Sequence, residues 1–168
     1  MAIAGGRSSI GQSPGMVVGN RAIFTNDGLM NSGATATAAP ANPTGITGAT
    51  AAAVMLGLAG SFTPNAGGNM MLWVTGDILC GTIGSGATIQ IAYGTGAAPA
   101  NNAALTGTLA AKALNFVAST AAGRAPFNMM AYIAGLTVGT AYWLDLAVQN
   151  LTGGTTTIAN VNVTAIEV

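Results

Sequence analysis

Between Val54 and Val168 the chain repeats one unit: a short run of alternating apolar and polar residues, then a cluster of Gly, Pro, Asn, Ser or Thr. A period of two puts successive side chains on opposite faces of a strand and does not build a helical stripe, so sheet is the architecture it permits. The alternation is cleanest in three places. Tyr142, Leu144, Leu146 and Val148 share one face against Trp143, Asp145, Ala147 and Gln149. Val161, Val163 and Ala165 alternate with Asn160, Asn162 and Thr164, and Ile89, Ile91 and Tyr93 with Thr88, Gln90 and Ala92. Strands are predicted at 54–62, 70–79, 88–93, 103–109, 114–119, 127–134, 141–149 and 156–168. The breaks between them ("TPNAGG", "GTIGSG", "GTGAAPANN", "STAAGRAP", "GLTVG", "NLTGGT") are turn chemistry. With no amphipathic helix, this spacing predicts an all-β antiparallel β-sandwich, a jelly roll of about eight strands. A helical turn within "NNAALTGTLAAKALNFVAST" is the alternative for that stretch, because alanine favours helix, although Gly107 and the threonines interrupt it.

The first fifty residues behave differently. They hold one apolar patch, Met16–Val18 with Ile23 and Phe24, and a turn signal at Asn26-Asp27-Gly28. "NSGATATAAPANPTGITGAT" (31–50) is a run of small residues with two prolines and reads as a linker. Too little apolar surface is present for a separate core. The division expected is an extended N-terminal arm and linker, 1–50, followed by the β-sandwich, 51–168. Ordering such an arm costs about 1–2 kcal/mol of backbone entropy per residue, recovered only by contacts outside the domain.

Charge narrows the partners. Only 5% of residues are charged, with 4 Lys and Arg against 4 Asp and Glu. A freely soluble monomer keeps a charged surface to resist association, so much of this surface is expected to be covered by copies of itself or by a host assembly. Arg7, Arg21, Lys112 and Arg124 are too few for a nucleic-acid partner. No apolar run reaches the roughly 18 residues that cross a bilayer, and "MAIAGGRSSIGQ" lacks a secretory pattern. Asn150-Leu151-Thr152 and Asn162-Val163-Thr164 match the glycosylation sequence and are read as chance matches.

The residues for catalysis are missing. There is no histidine, and Asp27, Asp77, Asp145 and Glu167 are each isolated in sequence. They read as turn and strand-end carboxylates, with Lys112 or Arg124 as possible partners of Asp145. Cys80 has no base to activate it and reads as a small apolar residue. "GTIGSG" and "GTG" lack dinucleotide-loop spacing, and Ser85 is not in a Gly-x-Ser-x-Gly elbow. No catalytic, cofactor or metal site is expected. Adjacent strand residues face opposite ways, so one of Tyr142/Trp143, of Met70/Met71 and of Met129/Met130 lies off the core. A subunit contact through Met71, Met130, Trp143 and Asp145 is the expectation.

Four segments in order, "GLAGSFTPNAGGNMMLWVTGDI", "GATIQIAYGTGAAPANNAALTGT", "PFNMMAYIAGLTVGTAYWLDLAV" and "TIANVNVTAIEV", resemble a β-domain recurrent in virion proteins of tailed bacteriophages and prophages. The resemblance spans 56–168 and rests on strand-and-turn patterns. It implies a jelly-roll-like sandwich, often trimeric, on a head or tail appendage, with no active-site motif to carry over. The function expected is a capsid decoration (cement) protein on the outer surface of a phage head. It would trimerise and bind the major capsid protein through its arm, at Arg7, Met16, Val17, Val18, Arg21, Ile23 and Phe24. The alternative is a tail fibre or spike module presenting the loops 94–102 and 119–124 to a host receptor. A third reading, a lectin-like module, rests on Trp143 with Asp145.

Overall fold

A computed structural model describes residues 52–119, 123–151 and 154–168, together with four short strands of the N-terminal third. Those four are β1 (Val17–Val18), β2 (Arg21–Ala22), β3 (Thr35–Ala38) and β4 (Ile46–Thr47). The rest are β5 (Val54–Met55), β6 (Gly60–Phe62), β7 (Met70–Cys80), β8 (Gly86–Thr95), β9 (Thr108–Val117), β10 (Arg124–Ile133), β11 (Tyr142–Asn150) and β12 (Thr155–Glu167). All pairings are antiparallel.

Two sheets form the sandwich. One runs β10-β7-β12-β3, with β4 also on β12; the other runs β5-β11-β8-β9, with β6 also on β11. β3 and β4 lie along one edge of β12, at Thr35↔Ile166 to Ala38↔Val163 and at Ile46↔Thr156 to Thr47↔Thr155. They act as one interrupted edge strand, and β5 and β6 are likewise one interrupted strand along β11. Counted so, the sandwich holds eight strands in two four-stranded sheets, and chain neighbours alternate between the sheets except β8 and β9, which pair within one, as in a jelly roll.

The count of eight therefore stands, although its members shift. The expected strands at 103–109 and 114–119 are not two. Residues 103–107 are loop, and 108–117 form β9, with a bulge at Ala111 (φ 59°) where its register with β8 slips between Ile89 and Ile91. That region is strand, so the helical alternative is set aside. The eighth strand comes from the run read as a linker, since β3 and β4 fall within 31–50. The expected strand 54–62 is broken at 56–59, where Gly57 (φ 77°) and Ala59 (φ 52°) leave the extended region.

The core is the inward half of each alternation. Leu72, Val74 and Ile78 from β7, Ile158, Val161 and Val163 from β12, and Phe127, Met129 and Ala131 from β10 meet Ile89, Ile91, Leu144, Leu146 and Val148 from the opposite sheet. A bulge in β12 between Ala159 and Asn162 keeps this phase, with Asn160 (φ 53°) in the left-handed region that Asn tolerates. Around the inward ring, Phe62 stacks on Tyr142 at 5.6 Å.

Candidate assembly surfaces

The two buried carboxylates come first, because a buried charge is either functional or structural. Asp145 is fully buried on β11, where β5 ends and β6 has not begun. Its Oδ2 accepts from the Gly57 amide (2.8 Å), and its Oδ1 from the amides of Leu58 (3.0 Å) and Leu146 (2.7 Å). The side chain thus replaces the missing ladder bonds of the interrupted edge. Burial pushes its carboxyl above the ordinary 3.8, and the opposing hydrogen bonds from Leu58, Gly57, Leu146 and Leu56 do not offset it. Glu167 plays the same part at the end of β12. Its carboxylate accepts from the amides of Asn65 (2.8 Å), Ala66 (2.7 Å), Gly67 and Gly68 (3.2 Å), which fastens the β6–β7 loop to the end of β12. Both acids accept hydrogen bonds from backbone amides, and neither lines the open cleft between the β9 and β10 edges.

The remaining polar candidates are equally plain. Asp77 accepts from the Asn160 side chain (2.7 Å) at the β12 bulge rather than from local amides. Cys80 is buried, its Sγ 3.4 Å from Thr156 Oγ1. Asp27 lies outside the described residues. Among the described residues, no group of three or more His, Cys, Asp and Glu could hold a metal ion. An open cleft of about 250 Å³ between the β9 and β10 edges is lined by Lys112, Leu114, Asn128 and Met130, with no acid beside the lysine.

The outer face of the β11-containing sheet is closed by the chain itself. The loop 96–107 between β8 and β9 lies over it. Asn102 N–H donates to Met55 O, Met55 N–H to Ala103 O, and Asn101 Nδ2 to Leu56 O (2.9 Å each). Trp143 packs under this loop with Met55, Ala92, Ala147 and Ala103, and its indole N–H donates to Thr95 O at 3.1 Å. Gly107 makes the close passage possible. At φ 78° its Cα sits where a Cβ would overlap the Trp143 ring and come 2.5 Å from Tyr93 O. Trp143 and Asp145, expected as subunit contacts, are therefore buried within the chain, 6% and 0% exposed, and have no surface to offer a neighbour. The salt-bridge partners expected for Asp145, Lys112 and Arg124, are replaced by backbone amides. The lectin-like reading, which needed Trp143 exposed, fails on the same ground.

Among the described residues, no segment covers the outer face of the other sheet. Tyr132, Met71 and Ile166 form one cross-strand row over β10, β7 and β12, and Met130, Trp73 and Thr164 the next. Tyr132 is 58% and Met130 53% exposed, with Met71, Trp73 and Ile166 half-buried beside them. Sequence reasoning found Met71 and Met130 and missed Trp73, Tyr132 and Ile166. The signal was available in the same alternation, because residues two apart share a face. Of the anchoring candidates, Val17, Val18 and Arg21 fall in the β1–β2 pair, at Val17↔Ala22 and Val18↔Arg21, while Arg7, Met16, Ile23 and Phe24 lie outside the described residues.

Fold and surfaces together define a jelly-roll domain whose buried acids are structural and whose exposed apolar residues include those of one sheet face. No family model and no curated protein matches the chain. Among solved structures, it is similar to a chain in the structure of infectious bursal disease virus, Gx strain, at 12% identity and TM-score 0.52. That match covers 92% of this chain and 38% of the viral one, so this chain spans well under half the length of its neighbour. Looser similarity reaches Eiger TNF from S. frugiperda, at 10% identity and TM-score 0.37 over 83% of this chain and 88% of that one. At 12% identity the likeness to the viral chain is one of fold, and it agrees with the jelly roll read from the strand order.

Proposed function

We propose that the protein is a non-enzymatic structural component of a virion, a capsid decoration protein of a tailed bacteriophage that trimerises and stabilises the head from its outer surface. The observation that carries this reading is the pairing of a jelly roll, similar in fold to a chain from a virus structure, with an outer sheet face that exposes Tyr132 and Met130. Two of the chain's four acids are consumed inside the fold, which leaves a surface that is poorly suited to free solution and well suited to close packing. The residues before β3 provide the attachment in this reading, with Arg7, Met16, Val17, Val18, Arg21, Ile23 and Phe24 contacting the major capsid protein. Many weak arm contacts on one lattice become strong together.

Copy number on purified particles tests it, together with binding of a variant lacking residues 1–30 to empty shells. Hundreds of copies, particles that break at lower temperature without the protein, and loss of shell binding on truncation are expected. A handful of copies with loss of host adsorption would assign the protein to a tail fibre or spike instead. Unchanged shell binding by the truncated chain would remove the arm from the mechanism.

A further inference from the structure

We infer that the outer face of the β10-β7-β12 sheet is the surface on which a second copy of this chain packs, with Trp73 at its centre. The inference rests on the reading of the protein as an assembling virion component and names the contact that the assembly uses. Cross-strand register fixes the face row by row. The two apolar rows, Tyr132–Met71–Ile166 and Met130–Trp73–Thr164, are followed by a neutral polar row, Asn128–Thr75–Asn162. On these strands charges appear beyond it, as Asp77, bonded to Asn160, and Arg124 at the start of β10, while Lys112 of β9 stands at the rim beside Asn128 and Met130.

A second copy is the occupant that this chemistry fits. Trp, Tyr and Met are the residues that protein interfaces concentrate, and Lys and Glu, which they avoid, are absent from these rows. Asp77 and Arg124 on the face and Lys112 at its rim leave at most one net positive charge, so repulsion between two copies is small. A foreign acidic or basic partner would find no complementary field. Size agrees as well. Three strands of about ten residues, at roughly 4.8 Å spacing and 3.3 Å rise, present about 500 Å² in projection. The relief of Trp, Tyr and Met side chains raises this toward the ~800 Å² that each partner buries in a standard interface. The opposite sheet makes the contrast: there the chain spends its loop 96–107 covering Trp143, whereas no described segment covers Trp73.

The test uses the full chain. Sedimentation and light scattering give its oligomeric state, and a Trp143→Phe background leaves Trp73 as the sole tryptophan to report burial. An oligomer in the micromolar range is expected, with Trp73 emission shifting to shorter wavelength as concentration rises. Met130→Glu and Tyr132→Glu, both at exposed positions, should each weaken association about 10- to 100-fold while leaving the circular dichroism and melting of the monomer unchanged. A wild-type protein that stays monomeric at ~100 µM, or an oligomer indifferent to both substitutions, overturns the inference. Shell binding is scored separately. A monomer that decorates shells refutes this contact and leaves the virion reading standing, whereas an oligomer built on this face that ignores shells upholds the contact and refutes that reading.

Discussion

Replacing Asp145 tests whether a side chain truly substitutes for backbone pairing at the broken edge of the β11 sheet. In Asp145→Ala, the amides of Gly57, Leu58 and Leu146 lose their acceptor together. A buried donor left unsatisfied costs about 1–3 kcal/mol. Gly57 is partly buried and regains some water, and the cost of burying a carboxylate disappears with the side chain. The net expectation is a loss of about 3–5 kcal/mol, a large part of the stability of an ordinary domain. Asp145→Asn separates the contributions. Its Oδ1 can still accept from Leu58 and Leu146, but its Nδ2 then meets the Gly57 N–H donor to donor, so about 2 kcal/mol should be lost.

The assay is urea unfolding at several pH values, read as midpoint at constant slope. Burial raises the folded-state pKa of Asp145 above 3.8, so the folded chain binds the extra proton. The contribution is then fully present below the unfolded value and is lost as pH rises through the folded one. Wild type should therefore lose part of its advantage over Asp145→Asn on going upward from about pH 3.8. If Asp145→Ala costs under about 1 kcal/mol, or the wild-type advantage over Asn grows with pH, the argument is wrong.

Two further substitutions probe the same economy of loops. Gly107→Ala places a methyl group against the Trp143 ring and Tyr93 O at a positive φ, and should cost about 3 kcal/mol or more while shifting Trp143 emission to longer wavelength as the 96–107 loop lifts. Unchanged emission would mean that the loop does not depend on this passage. Glu167→Gln halves the acceptor capacity for the amides of residues 65–68, and should lower stability by about 1–3 kcal/mol with faster amide exchange confined to that loop. Uniform acceleration across the sheets would instead assign Glu167 a global role.

The β-sandwich was legible because seven of its strands carry large residues on a period of two, and Val161-Val163-Ala165 or Leu144-Leu146-Val148 have no other way to be buried together. The eighth strand was not. "TATA" at 35–38 is Thr and Ala throughout, and its pairing to β12 comes from ladder bonds that composition does not encode. The function of the second face was half legible. Alternation requires that Trp143 point away from the core, but whether a neighbour or the chain itself covers it depends on a loop of small residues folding back. The two glycines that flank this loop, Gly94 and Gly107, both run against the Trp143 ring. Asp145 was misread for a related reason: its partners are amides of a broken strand 87 and 88 residues away in sequence, and no pattern of charges points to them.

How copies meet is constrained by what each sheet edge forbids. A free edge is a template for adding strands, and growth along it does not stop. Here each edge is spoiled. β10 carries Arg124 and Pro126, and Pro126 has no amide to donate. β9 carries Lys112 beside the Ala111 bulge. β5 and β6 are interrupted by the Asp145 cap, and Val54 is bridged to Ala104 of the covering loop. β3 and β4 are separated by a stretch that holds Pro40 and Pro43. A chain with so little charge cannot rely on repulsion to stay apart, so it blocks its edges by geometry. On the contact inferred above, association is directed to a face, where a finite patch saturates once covered. The 96–107 loop lies over Trp143 on one outer face, and in that reading the Trp73 face carries the contact that closes the assembly.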